Sequence, residues 1–189
     1  MATASGVIIL RMKDIELLRK SVDSFGPLGM NQSELAAALG VTQPSVSAWL
    51  AGKRRISAAT AEQLRRAWEA LDVQSTVIGH DWRGRAIDAP SQQWEPVFTP
   101  VGRYRLPLHL DWTGTPASRW RSGANPHHLV ETYTLVLDEG RVRDVVMWVD
   151  PDTLAEYWPI IPVARSRRPA WEAHLESLGY AVGRFDVAV

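Results

Sequence analysis

The chain has 189 residues, 46% of them hydrophobic, with 21 basic against 21 acidic side chains and no cysteine. That length allows one or two domains. A formal charge of zero excludes holding nucleic acid by bulk charge, and the missing cysteines exclude disulfides and cysteine-ligated zinc.

In chain order, residues 8–25 are expected to form a first helix, with Ile8, Met12, Ile15, Leu18, Val22 and Phe25 at helical spacing. Gly26-Pro27-Leu28-Gly29 breaks it. From Asn31 to Ser57 two short amphipathic helices meet at the turn Leu39-Gly40-Val41. Asn31 or Ser33 can cap the first, and Glu34 stands at capping-box spacing from Asn31. Leu35, Ala38 and Leu39 make its apolar stripe. Gly40 ends it, because only glycine takes the left-handed conformation cheaply. Thr42 caps the second helix, Pro44 lies in its first turn, and Val46, Trp49 and Leu50 face inward. Gln43, Pro44, Ser45, Ser47 and Ala48 are left facing outward.

That outward face suits the major groove. A glutamine can pair donor and acceptor with an adenine edge, serines can bond bases or phosphates, and an alanine methyl can rest on a thymine methyl. Gly52 ends the helix, and Lys53, Arg54 and Arg55 follow where phosphates would pass.

The pattern Gln32, Leu35-Ala36, Leu39-Gly40-Val41, Gln43, Ser45-Val46-Ser47, Trp49 and Gly52-Lys53 resembles the helix-turn-helix of the phage repressor family, of the Cro and lambda-repressor type. The resemblance implies that Gln32 touches a phosphate and that Gln43 reads a base. Leu50 and Ala51 depart from the commoner polar residues there. The expected DNA contacts are therefore Gln43, Pro44, Ser45, Ser47 and Ala48 to bases, and Gln32, Thr42, Lys53, Arg54 and Arg55 to phosphates.

Ser57 caps a further helix to about Leu71, completing an all-α domain over residues 1–72. Residues 73–96 lose periodicity and read as a linker or the start of a second domain. In residues 97–112, Tyr104, Leu106, Leu108 and Leu110 alternate with Arg103, Arg105, His109 and Asp111, as in a half-buried strand interrupted by Pro107. Residues 129–137 and 141–149 predict an antiparallel hairpin turned by Asp138-Glu139-Gly140, with the glycine at positive φ. Pro151 opens a short helix to about Trp158, and Pro169 opens a last one, with Trp171, Leu175 and Leu178 inward. Residues 180–189 end as a strand. The expected architecture is an all-α helix-turn-helix domain followed by an α+β domain over residues 97–189, which with the preceding stretch holds seven of the nine tryptophans.

Arg119 and Arg121 around a tryptophan, with Asn125 and His127 nearby, suit phosphate and groove contacts. Arg165, Arg167 and Arg168 precede a helix N-terminus, a natural phosphate seat. These seven residues form a candidate second DNA surface; the other reading is that they are solvated or stacked on tryptophan with no ligand. The order of a short helix-turn-helix domain and a tryptophan-rich α+β domain is similar to the immunity repressors of actinobacteriophages. That resemblance implies a lysogeny-maintaining repressor in a bacterial host cell, binding asymmetric operator and stoperator sites as a monomer rather than a homodimer. The alternative is a dimeric regulator or antitoxin whose C-terminal domain dimerises or binds a small molecule or partner protein, with the tryptophans lining a pocket.

Catalysis has little support. His127-His128 are adjacent, so they do not share a helix face as metal ligands, and His109 and His174 are isolated. Asp150-Pro151-Asp152 fits a helix cap. Lysine occurs only at positions 13, 20 and 53, which leaves no Ser-Lys pair of the self-cleaving repressor sort. No apolar run is long enough to span a bilayer, and the N-terminus lacks a secretion-signal pattern. The expectation is a cytoplasmic, double-stranded-DNA-binding protein with no enzyme activity, cofactor, metal or membrane partner.

Overall fold

Helix α1 (Asp14–Ser21) has Asp14 and Glu16 in its first turn and Arg19 and Lys20 in its last, the arrangement that complements the helix dipole. It is the part of the expected 8–25 helix that falls within the residues the computed structural model describes, which are 13–22, 27–99, 102–113, 115 and 117–182. Ile8, Met12 and Phe25 lie outside them, as do residues 183–189 of the expected final strand. By contacts the chain forms two compact units, one of residues 1–72 and 97–125, the other of residues 73–96 and 126–189.

In the first unit α1 is followed by α2 (Gln32–Ala38), α3 (Gln43–Leu50) and α4 (Ala58–Glu69). Leu17, Leu18, Leu28, Met30, Leu35, Val46 and Leu64 are sealed in its core. Trp68 on α4 donates its indole N–H to Ser21 Oγ (2.8 Å), and Ser21 in turn donates to Leu17 O (2.7 Å). A polar side chain is thus buried without losing its hydrogen bonds. Ser57 caps α4 through the Thr60 N–H (3.1 Å).

Residues 97–125, expected to open the second domain, make their compact contacts in this first unit. The long strand expected there reduces to β3 (Arg103–Tyr104), paired antiparallel with β4 (Arg121–Ser122). Pro107 offers no N–H for a ladder, and its carbonyl accepts from Leu110 N (3.0 Å) to make a turn instead. The expected alternation fails with it: Leu108 is exposed and Arg105 is buried.

The second unit begins with a hairpin, in the stretch whose sequence suggests a linker or the start of a second domain. Strand β1 (Ser75–His80) pairs antiparallel with β2 (Ala86–Pro90), with a register shift between Val77 and Gly79. Asp81 fixes the turn, accepting from the N–H groups of Arg83 (2.8 Å) and Arg85 (3.0 Å). Helices α5 (Pro126–Glu139), α6 (Val142–Trp148), α7 (Pro151–Tyr157) and α8 (Arg168–Ser177) follow. α6 packs on β2 and α8 on β1.

The hairpin expected over residues 129–149 is instead α5 and α6. β-branched residues suggested strands, but burial follows a helical stripe: Thr132, Tyr133, Val136 and Leu137. Propensity lost to packing. Gly140 does not take positive φ; its N–H bonds Val136 O (2.9 Å), and a Cβ there would collide with the Val136 carbonyl. The glycine therefore allows a close approach rather than a left-handed turn. The antiparallel pairing belongs to residues 75–90, so the unit mixes helices with a small two-stranded sheet.

The tryptophans of this unit are mostly structural. Trp148, Trp158 and Trp171 are fully buried. Trp158 Nε1 donates to Glu172 (2.9 Å), and Trp94 Nε1 to Val149 O (2.8 Å). His174 Nε2 bonds Pro90 O (2.9 Å); burial pushes its pKa below the ordinary value, against the opposing effect of that bond.

Candidate nucleic-acid interface

Both motif helices start and stop as their residues dictate. Asn31 Oδ1 accepts from Ser33 N (2.9 Å) and Glu34 N (3.0 Å), while Glu34 Oε2 accepts from Asn31 N (2.9 Å), a complete capping box. At the other end Gly40 takes φ +67°. Its N–H bonds Ala37 O (3.1 Å), and Val41 N bonds Ala36 O (2.9 Å), the paired geometry of a Schellman stop. The same pairing ends α3, with Lys53 N on Ala48 O (2.9 Å). Thr42 stands at the N-cap of α3, but its hydroxyl meets Ser45 Oγ (3.0 Å) rather than a backbone N–H.

Val46 and Trp49 bury one side of α3, which leaves the other side open. Gln43 and Pro44 are exposed, and Ser45, Ser47 and Ala48 are half-buried. Gln43 Nε2 donates to Gln32 Oε1 (3.2 Å) and to Ser47 Oγ (2.9 Å), and Ser47 Oγ donates to the same Gln32 oxygen (3.1 Å). Three polar side chains from α2 and α3 thus form one hydrogen-bonded cluster on the unit's surface. These bonds restrain the three side chains, which lowers the entropy lost on binding. Lys53, Arg54 and Arg55 are all exposed just beyond the end of α3.

A helix-turn-helix family model matches residues 26–67. The chain carries a helix-turn-helix domain. Such a domain is a DNA-binding regulatory module, and it spans the capped helices, the glycine turn and the outward face just described. No curated protein and no solved structure matches the chain. Among the described residues no helix is long and apolar enough to cross a membrane.

The residues expected to form a second DNA surface divide between the two units. Arg119, Arg121 and Asn125 belong to the first unit, and His127, Arg165, Arg167 and Arg168 to the second. Arg119 and Arg121 are buried: Arg119 donates to Asp111 O (3.1 Å), and Arg121 pairs with the buried Asp111 carboxylate. Arg167 reaches Leu137 O (3.2 Å) and lies 3.8 Å from Asp81. Arg168 bonds Ile161 O (2.6 Å), Trp158 O (3.2 Å) and Glu172 (3.2 Å), with its guanidinium 4.8 Å from the Trp158 ring centre. These four guanidiniums hold loops and helix ends together. Asn125 is half-buried; His127 and Arg165 are exposed.

Reading the sequence missed two arginine–tryptophan arrangements. Arg103 and Arg105 lie over Trp120, with guanidinium carbons 5.0 and 4.7 Å from the ring centre. At the β1–β2 turn Trp82 is 74% exposed, with Arg83 stacked on it at 4.5 Å. The residue types were visible, but which arginines face outward depends on partners that folding brings in, Asp111 for Arg119 and Arg121 and Asp81 for Arg167.

Proposed function

We propose that this chain is a sequence-specific transcriptional repressor that lays the outer face of α3 in the major groove. The observation that carries the reading is the surface cluster of Gln32, Gln43 and Ser47. Gln43 Oε1 accepts from adenine N6, while one amide N–H leaves Ser47 for adenine N7 and the other stays on Gln32. Ser45 and Ser47 extend polar contact along the groove, and Pro44 and Ala48 supply apolar contact. Gln32, Thr42, Lys53, Arg54 and Arg55 hold phosphates and fix register.

The finer reading is a phage immunity repressor that binds an asymmetric site as a monomer, with both units contributing. A single helix-turn-helix covers too little sequence for genomic specificity, so a monomer needs a second contact on the same chain. Exposed Arg165, His127 and the Trp82–Arg83 turn support that contact in the second unit. The resemblance to actinobacteriophage repressors supports the lysogeny role. The alternative, a dimeric regulator with a ligand-binding second domain, is less favoured because Trp148, Trp158 and Trp171 are consumed by the core.

Selecting bound duplexes from random DNA with the full chain and with Gln43→Ala tests this. The expected result is an asymmetric consensus, with Gln43→Ala losing about 1–3 kcal/mol of preference at one base position. A palindromic consensus would favour the dimer. An unchanged preference in the variant would remove α3 from the bases.

A further inference from the structure

Residues 97–125 carry chemistry that the helix-turn-helix itself lacks. Strand β3 presents exposed Arg103 beside half-buried Trp120, and β3 packs on α2. Arg103 and Trp120 share the walls of a surface cleft of about 280 Å³ with Ser33 of α2 and with Thr42 and Gln43 at the start of α3. The cleft therefore joins the base-reading end of α3 to a cation mounted on an indole. All of these residues lie in the first unit.

Three features make this a place for an anion. First, the arginine is positioned: Tyr104, its strand neighbour, is buried, and β3 is paired to β4, whose Arg121 is locked on Asp111. Second, two guanidiniums, Arg103 and Arg105, lie within about 5 Å of the centre of one ring. Stacking on the indole holds the Arg103 guanidinium at the wall of the cleft, a cation placed before an anion arrives. Third, the cleft is edged by the hydroxyls of Ser33 and Thr42, which can bond phosphate oxygens.

We infer that Arg103, held on Trp120, takes a DNA phosphate next to the bases contacted by α3, so that residues 97–125 enlarge the DNA-binding surface of the helix-turn-helix unit. The inference rests on the major-groove reading of α3. Arg103 contributes affinity and register, not sequence choice, because a phosphate contact carries no base information.

The test uses the full chain on a duplex selected from random DNA. Arg103→Ala should weaken binding roughly 3–10-fold near 0.1 M salt and reduce the slope of log K against log salt by about 0.9. The selected consensus should not change. Ethylating single phosphates of the duplex should reveal one position that inhibits the wild type and no longer matters for Arg103→Ala. Arg103→Lys, which keeps the charge and loses the planar fork, should keep the slope. Wild-type affinity, slope and ethylation pattern in Arg103→Ala, with Gln43→Ala still losing base preference, would overturn this inference and leave α3 in the groove. If Gln43→Ala is silent as well, the major-groove reading falls and takes this inference with it.

Discussion

Two basic segments, Lys53-Arg54-Arg55 and Arg165-Ser166-Arg167-Arg168, look equivalent in one dimension and are opposites in three. All three cations of the first stand in solvent beyond α3. In the second only Arg165 is exposed, because Arg167 and Arg168 are committed to Asp81, Glu172 and backbone carbonyls. A guanidinium has five donors in a fixed fork, so carbonyls at loop corners capture it readily. Basic residues therefore mark a ligand surface only where the surrounding fold leaves their donors unused. Arg119 and Arg121 on either side of Trp120 repeat the lesson within a single tripeptide.

The sharpest break between structural and solvent-facing arginines comes from Arg121→Ala. It strands the buried Asp111 carboxylate and should cost about 3–5 kcal/mol in a denaturant melt. A loss below about 1 kcal/mol would mean that the pair does little to hold the first unit.

Replacing Lys53, Arg54 and Arg55 together by alanine should leave the melt nearly unchanged. Binding should weaken on the order of 10²-fold, and the salt slope should fall by about 2.7 if each cation holds one phosphate. An unchanged slope would place the DNA backbone elsewhere.

Arg168→Ala should do the reverse. Losing its charged hydrogen bonds to Trp158 O and Ile161 O should cost about 1.5–3 kcal/mol of stability. The salt slope of DNA binding by folded protein should not move; a drop near 0.9 would return Arg168 to the DNA surface.

The smallest effect is a pH dependence. The pKa of His174 lies below its ordinary value of 6.5 in the folded chain, chiefly through burial. The unfolded chain therefore binds the extra proton first, and stability falls as pH drops below about 6.5. Asp81 acts in a separate, more acidic window. Burial raises its pKa, but the Arg85 and Arg83 N–H groups and the Arg85 side chain outweigh that and hold it below the usual 3.8. Stability from Asp81 is present above that value and is lost as pH falls through the folded pKa. Urea midpoints between pH 7.5 and pH 5.5 should decline for the wild type and flatten for His174→Gln; parallel curves would remove His174 as the titrating group.

The helix-turn-helix was legible because its signals are local. Asn31 with Glu34, Gly40 and Gly52 act within a few residues of chain, and Val46 with Trp49 shows which side of α3 is buried. Ser57 before α4, Pro151 opening α7 and Gly179 after α8 are local in the same sense. Residues 73–149 were not legible, because long-range packing decides there between competing local preferences. The β-branched run from Leu129 to Leu137 became a helix once Tyr133, Val136 and Leu137 had a core to enter. The grouping of residues 97–125 with the helix-turn-helix unit has no sequence signal at all.

Sequence alone determined where the two helices of the helix-turn-helix begin, end and hide their apolar sides. Tertiary structure decided which charges remain available to a ligand. Helix capping is settled by atoms a few residues apart, whereas a guanidinium's fate depends on carboxylates and carbonyls that folding brings in from distant chain.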